Sequence, residues 1–219
     1  MKTNQEYKTE ALDALRGNWA PALVATIIYL VLAMAISGAS GIPEAYGRTA
    51  PASLALGLGA LEILVVWPLA VGFNNSFRLL LETGDDRMAN NMFSLGFGNF
   101  LHNVWGMFLT GVFIFLWTLL FVIPGIVKSF SYAMTPFILV EHPELPANRA
   151  IDESRRLMKG RKFDLFWLYL SFIGWAVLCF LSLGIGFLWL IPYMQTSLAS
   201  FYADVKAEKS VTEDPRESA

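Results

Sequence analysis

Long apolar runs separated by short polar segments dominate the chain from residue 20 to residue 203. A helix needs about 20 largely apolar residues to cross the hydrocarbon core of a bilayer. This pattern predicts an all-α fold, a polytopic transmembrane helix bundle of about six spans with amphipathic interfacial helices. The predicted spans are residues 20–37, 53–73, 104–123, 126–140, 163–182 and 187–202.

The fourth segment, 126–140, is the least typical span, because it is short and contains Pro136. Length alone also allows a re-entrant segment. Lys and Arg accumulate on the cytoplasmic side of membrane spans. With six crossings and a cytoplasmic N-terminus, 14 of the 16 basic residues are cytoplasmic, all except Arg48 and Lys128. If 126–140 did not cross, the basic residues of 149–162 would lie outside. We therefore predict six spans with both termini in the cytoplasm.

Four polar segments lie before, between or after the predicted spans of the transmembrane domain, 20–203. Segment 1–19 places Tyr7, Ala11, Leu15 and Trp19 on one helical face, which is typical of a helix lying on the inner leaflet, with a partner-binding helix as the alternative. Segment 85–103 alternates Met and Phe with Asn and is predicted to be interfacial, with a re-entrant gate as the alternative. A cytoplasmic amphipathic helix is predicted over 145–160, and a polar, disordered tail over 204–219.

Composition supports a membrane protein and excludes several other classes. The 219 residues are 55% hydrophobic and 16% charged, whereas soluble domains have about 25% charged residues. The net charge of -2 gives no basic field for nucleic acid. The chain has one cysteine, Cys179, and two histidines far apart, so we predict no metal site and no cofactor. It carries no nucleotide-binding loop and no paired nucleophile and base, so we predict that it is not an enzyme.

Glu62 is a carboxylate within the second predicted span, where a charge is costly. Ala52, Ala55 and Gly59 share its helical face, so we predict that a neighbouring helix packs there and that Glu62 points inward. One reading is a proton or cation site in a transport path. The other is a neutral or hydrogen-bonded structural carboxyl group.

The fourth predicted span carries Lys128, and Ser131, Tyr132 and Thr135 lie on the same face. Together with Glu62 they form a candidate intramembrane polar site. The simpler interpretation is that Lys128 extends its ammonium group to the outer interface.

A dense basic cluster precedes the fifth span. We predict that it contacts anionic lipid head groups on the cytoplasmic side, where each basic residue contributes about 1 kcal/mol. Its members are Arg155, Arg156, Lys159, Arg161 and Lys162.

Four motifs carry a family resemblance, and they are the segments 14–19, 123–136, 150–162 and 170–175. Together they resemble an uncharacterised family of bacterial multi-pass integral membrane proteins, catalogued as a domain of unknown function. That family is distantly similar to the membrane portion of some glycerophosphodiester phosphodiesterases. The resemblance implies a protein of the cell membrane, and it implies no activity.

These observations leave two main functional hypotheses. The first is a non-catalytic protein that organises the membrane or binds lipid or a partner protein. The second is a small-solute or ion-coupled transporter or channel with Glu62 in the path. The sequence names no substrate, oligomeric state or physiological role.

Overall fold

The computed structural model describes residues 2–39 and 52–213, and all the regular elements in these residues are helices. This confirms the predicted all-helical architecture. In chain order the elements are α1 Asn4–Leu15, α2 Trp19–Ala39, α3 Ala52–Leu61, a π-helical segment Glu62–Val66, α4 Trp67–Thr83, α5 Met88–Gly98, α6 Phe100–Leu120, α7 Val122–Ser131, α8 Thr135–Glu141, α9 Ala147–Leu157, α10 Lys162–Leu170, α11 Ile173–Leu181 and α12 Phe187–Glu213.

Five helices in the described residues are long and apolar enough to cross a membrane. They are Trp19–Gly38, Leu56–Thr83, Phe100–Leu120, Val122–Glu141 and Lys162–Leu181. The fourth combines α7 and α8 and is 20 residues long, so it is longer than the pattern predicted. Between α7 and α8 the chain makes a turn before Pro136. A proline at that position removes a backbone donor and disfavours a continuous helix.

The sixth predicted span, 187–202, is the first part of α12 and is not among these five helices. Small polar residues lower its hydropathy, and Thr196, Ser197 and Ser200 are fully buried. Each hydroxyl has an acceptor; Thr196, for example, donates to the carbonyl of Pro192 at 2.8 Å. The helix therefore lies inside the bundle, and six crossings remain a prediction. α12 also continues as a helix through residues 204–213, where the sequence predicted a disordered tail.

Two helices that were predicted to lie on the lipid surface pack against protein instead. In α1, the predicted face of Tyr7, Ala11 and Leu15 is fully buried, and the Tyr7 ring meets Phe201 of α12 edge-on with centroids 5.3 Å apart. The helix was therefore predicted correctly and its partner was not. The sequence pattern cannot distinguish an apolar face that meets lipid from one that meets a second helix.

α5, within the predicted interfacial segment 85–103, packs against α4 at very short range. Gly72 and Gly96 make this possible, because a Cβ atom on Gly72 would lie 1.8 Å from the Met92 carbonyl oxygen. A Cβ atom on Gly96 would lie 2.4 Å from the Pro68 carbonyl oxygen. Gly96 thus allows backbone contact between α4 and α5 inside a continuous helix.

α9 corresponds to the predicted amphipathic helix 145–160 and begins after Pro146. Its apolar face is buried, including Ala150, Ile151 and Leu157. That face lies against α6 and α8, so α9 folds back along the bundle.

Candidate functional site

A polar groove lies between α6, α7 and α9 and has a volume of about 380 Å³. It combines basic, aromatic and amide side chains. Its lining is Phe113, Trp117, Lys128, Tyr132, Asn148, Ile151, Asp152 and Arg155. Lys128, Tyr132 and Arg155, which the sequence assigned to two separate sites, therefore share one groove.

The position of α9 depends on its residue Ser154, which is fully buried against the turn between α7 and α8. Its hydroxyl donates to the carbonyl of Ser131 at 3.0 Å and accepts from the N–H of Met134 at 3.2 Å. These backbone groups belong to the turn that interrupts the fourth span, and buried backbone groups need partners. The backbone groups of the turn therefore pair with the Ser154 hydroxyl of α9. This contact holds α9 against the turn and brings Arg155 towards Lys128.

An aromatic ring and a carboxylate hold the two cationic groups of the polar groove. The Lys128 ammonium nitrogen lies 4.4 Å from the ring centroid of Trp117, which is a cation–π distance. Tyr132 is buried, with its ring 6.4 Å from that of Phe113. Arg155 donates to Asp152 at 2.8 Å. Lys128 and Arg155 against Asp152 leave the groove with one excess positive charge.

An apolar groove lies on the other side of α7 and has a volume of about 390 Å³. It is lined by Ile126, Val127, Phe130, Gly160, Lys162, Phe163 and Phe166. The Phe130 and Phe166 rings meet edge-on at 6.0 Å. The only charged residue of its lining is Lys162. Lys162 is close enough to Lys128 for the two positive charges to repel each other. α7 therefore has a polar groove on one side and an apolar groove on the other.

Ser131 and Thr135 of the predicted polar site are buried in helix packing and line neither groove. The Ser131 hydroxyl donates to the carbonyl of Val127 at 2.9 Å. The Thr135 hydroxyl is buried with no hydrogen-bond partner among the described residues.

Glu62 is exposed, and the prediction that it points into the bundle is wrong. The second span continues to Thr83 instead of ending at residue 73. Glu62 consequently lies about 24 Å along the helix from Arg78, which is close to the thickness of a hydrocarbon core, about 30 Å. A Cβ atom added at Gly59 would meet no atom within 4 Å. The side chains of Ala52 and Ala55, as well as Arg48, lie outside the described residues.

Four members of the predicted basic cluster are at least partly exposed, but Arg161 is only 2% exposed. Arg161 donates to Asp204 at 2.8 Å, to Glu208 at 2.6 Å and to the Tyr7 hydroxyl at 2.9 Å. It therefore joins α12 to α1 and cannot contact a head group. Arg156 binds Glu153 on its own helix at 2.8 Å, so its charge is also partly neutralised.

Two titratable groups that contact Arg161 have pKa values shifted from their ordinary values. Burial raises the pKa of Tyr7, and its hydrogen bond to Asp204 at 2.6 Å raises it further. Burial by itself would raise the pKa of Asp204, but hydrogen bonds from Tyr7 and Arg161 bring it below its ordinary value. Asp204 is therefore held as an anion between a phenol and a guanidinium group.

A second charged network was not predicted from the sequence. Arg78 is buried and donates to Glu141 at 2.9 Å and to Glu82 at 2.7 Å. Glu141 also accepts from Tyr202 at 2.6 Å and from Lys206 at 2.8 Å. The i,i+4 spacing of Arg78 and Glu82 is the only local signal of this network. Its remaining members, Glu141, Tyr202 and Lys206, come from two other helices, α8 and α12.

Comparison with known proteins gives a partial family match. Residues 119–209 match the family model described as "Protein of unknown function (DUF975)". No curated protein and no solved structure matches the chain. The matched segment contains Lys128, Tyr132 and Arg155, and it also contains the last three of the four motifs that carried the family resemblance. From α7 to most of α12, the chain is thus similar in sequence to a domain of unknown function. In this chain the matched segment folds as part of a bundle of apolar helices.

Proposed function

We propose that the protein is a non-catalytic integral membrane protein that binds an anionic phospholipid at α7. The observation that carries this proposal is the pair of grooves on the two sides of α7, one polar with excess positive charge and the other apolar. A phospholipid offers the complementary chemistry, an anionic head group joined to acyl chains. We place this activity in the cytoplasmic membrane of a bacterial cell. Because Arg155 of the predicted cytoplasmic helix lines the polar groove, we place the groove at the cytoplasmic leaflet, and with it Lys128, which the sequence placed at the outer interface.

The bound head group is recognised by the groups that line the polar groove. Lys128 and Arg155 provide charge-assisted hydrogen bonds to a phosphate oxygen. Trp117 and Asp152 keep these two cations in place, at 4.4 Å and 2.8 Å respectively. Asn148 provides an amide at the rim. A lipid without net negative charge would leave the excess positive charge of the groove uncompensated.

An acyl chain lies along Phe130, Phe163 and Phe166 in the apolar groove. Its burial follows from the hydrophobic effect, because these side chains supply apolar surface with little polar area. Lys162 lies at the rim of this groove and adds to the positive potential around the head group.

The ion-coupled transporter hypothesis has less support than lipid binding. It required Glu62 to face a path inside the bundle, and Glu62 is exposed. It also required Glu62 to share a site with Lys128, which instead meets Trp117 and lines the polar groove with Arg155.

The proposal is tested by the thermal stability of the purified protein in nanodiscs of phosphatidylcholine with and without phosphatidylglycerol. A ligand that binds only the folded state raises stability, by about 2.7 kcal/mol at 100 times its Kd. We expect phosphatidylglycerol to raise the melting temperature. The double variant Lys128→Gln/Arg155→Gln should bind about 30-fold more weakly, since two cations contribute about 1 kcal/mol each.

The matched control is the double variant Arg16→Gln/Arg87→Gln. It removes the same charge from exposed positions that lie outside the predicted basic cluster and line neither groove. It should keep the response to phosphatidylglycerol. If both double variants lose the response to phosphatidylglycerol equally, the response depends only on net charge, and the proposal is overturned. An equal stabilisation by inorganic phosphate alone would overturn the role of the acyl chain.

A further inference from the structure

The turns that join α6 to α7 and α11 to α12 have unusual sequences for loops that emerge from a membrane. No Asp, Glu, Lys or Arg occurs from residue 88 to 127, or from residue 165 to 203. The first turn reads Leu-Leu-Phe-Val-Ile-Pro over 119–124, and the second reads Leu-Ser-Leu-Gly-Ile-Gly over 181–186. By contrast, the linker 40–51 carries Glu44 and Arg48.

The apolar side chains of both turns point away from the protein. Phe121 is 73% exposed and Ile123 is 75% exposed, while Leu183 reaches 94%. Large apolar side chains on α6 and α11, such as Leu119 and Val177, are exposed as well. The turns therefore continue the outward-facing apolar surface of the helices that lead to them.

The backbone of the second turn satisfies its own donors. All five N–H groups from 182 to 186 donate within the protein, including Gly184 to the carbonyl of Cys179 at 3.0 Å and Gly186 to the Ser182 hydroxyl at 3.0 Å. In the first turn the Phe121 N–H donates to the carbonyl of Trp117 at 3.1 Å, and the Gly125 N–H donates to the carbonyl of Phe121 at 3.2 Å. Pro124 has no N–H, so within 121–125 only the Val122 and Ile123 N–H groups, at the start of α7, have no partner among the described residues. Internal pairing of backbone groups is the condition for placing a segment in lipid.

Leu183 has the left-handed backbone conformation, with φ of 56°. This conformation costs a non-glycine residue about 1–2 kcal/mol, and asparagine or glycine is the usual choice. In water, the exposed leucine side chain would add a second cost, the hydration of its apolar surface. In hydrocarbon, the leucine side chain is favourable where asparagine would not be.

We propose that the α6–α7 and α11–α12 turns lie within the bilayer and contact acyl chains, so that neither turn reaches the water on the far side. A helical hairpin returns the chain to the side from which it came, whether or not its turn emerges. The distribution of basic residues is therefore the same in both cases, and charge placement alone could not distinguish them. This inference concerns how the protein lies in the bilayer and is independent of the proposed lipid site.

The test is cysteine labelling of the full chain in nanodiscs, where water reaches both faces. In a Cys179→Ala background, Phe121→Cys and Leu183→Cys are compared with Arg48→Cys and Arg87→Cys, using a charged, membrane-impermeant maleimide. We expect both turn cysteines to react at least about tenfold more slowly than both controls, because the reactive thiolate does not form in hydrocarbon. All four should react equally after denaturation in detergent. Labelling of a turn cysteine at the rate of the Arg87 control would overturn the proposal for that turn.

Leu183→Asn gives a second measurement that does not depend on cysteine. If the turn lies in water, asparagine relieves the backbone strain and exposes no apolar surface, so the melting temperature in nanodiscs should rise. If the turn lies in the bilayer, the amide enters hydrocarbon and the melting temperature should fall. A fall supports the proposal, and a rise contradicts it. Ile123→Cys and Ile185→Cys replace the first pair of turn variants should either of those fail to fold.

Discussion

Contacts of single residues explain why the structure groups the predicted site residues differently from the sequence analysis. Lys128, Tyr132 and Arg155 were selected by residue type, which is a local property. Their shared groove arises because Ser154 binds the turn of the fourth span, and no local pattern encodes that contact. Arg161 shows the converse. Its position beside four other cations predicted a contact with lipid head groups. Its actual partners, Tyr7 and Asp204, lie 154 and 43 residues away in sequence, so the local pattern does not reveal them.

Asp204 makes stability dependent on acid pH. Because its pKa is lowered in the folded protein, its contribution to stability is complete above the ordinary carboxyl pKa of about 3.9 and is lost as pH falls through the lowered value. We therefore expect the melting temperature to fall as pH drops below about 4. Asp204→Asn should lower stability near neutral pH by about 1–3 kcal/mol and should weaken this pH dependence.

The control for Asp204→Asn is Asp86→Asn, at an exposed position. An exposed substitution of this kind changes stability by less than about 0.5 kcal/mol. Melting temperatures from pH 7 to pH 3 provide the comparison. Parallel pH profiles for the wild type and Asp204→Asn would contradict the assigned role of Asp204.

At the scale of elements, apolar periodicity predicted the helices that face outward better than those inside. α2 and α6 have long, uninterrupted apolar runs and were located to within a few residues. The second span was cut short at residue 73, because Asn74, Asn75 and Arg78 interrupt its apolar pattern. These residues are satisfied inside the protein; the Asn75 amide, for instance, donates to the carbonyl of Pro136 at 2.8 Å. A polar residue facing another helix looks, in sequence, like the end of a span.

The contact between α4 and α5 predicts a large effect of a small substitution. Gly72→Ala would place a methyl group 1.8 Å from the Met92 carbonyl oxygen, which is backbone and cannot rotate away. The two helices must separate, and we expect a loss of at least about 2–3 kcal/mol in unfolding free energy, as for an overpacked core. Gly174→Ala in α11 is the matched control, because its Cβ atom would meet nothing within 4 Å. Equal melting temperatures for the two variants would show that α4 and α5 are not in backbone contact.

At the scale of the whole molecule, α12 connects the charged networks of the bundle. Its residues Tyr202 and Lys206 bind Glu141 of α8, while Asp204 and Glu208 bind Arg161 just before α10. Its hydroxyl at Ser200 also binds Glu10 of α1. The C-terminal half of α12 and the N-terminal helix therefore lie at the same end of the molecule. This contact is independent of the charge distribution from which the sequence placed both termini in the cytoplasm.

The contact between α1 and α12 predicts that the two termini lie on the same side of the membrane. An odd number of crossings would separate the termini by the thickness of the hydrocarbon core, about 30 Å, which is incompatible with the 2.6 Å hydrogen bond from Tyr7 to Asp204. Reporter proteins fused to the N-terminus and to the C-terminus should therefore give the same sidedness in intact cells. A reporter inserted in the linker 40–51 should give the opposite result, because α2 crosses once between them. The Lys128→Gln/Arg155→Gln variant serves as a control, since it leaves the α1–α12 contact intact and should keep the sidedness of the wild type. Termini on opposite sides would rule out this packing of α1 on α12.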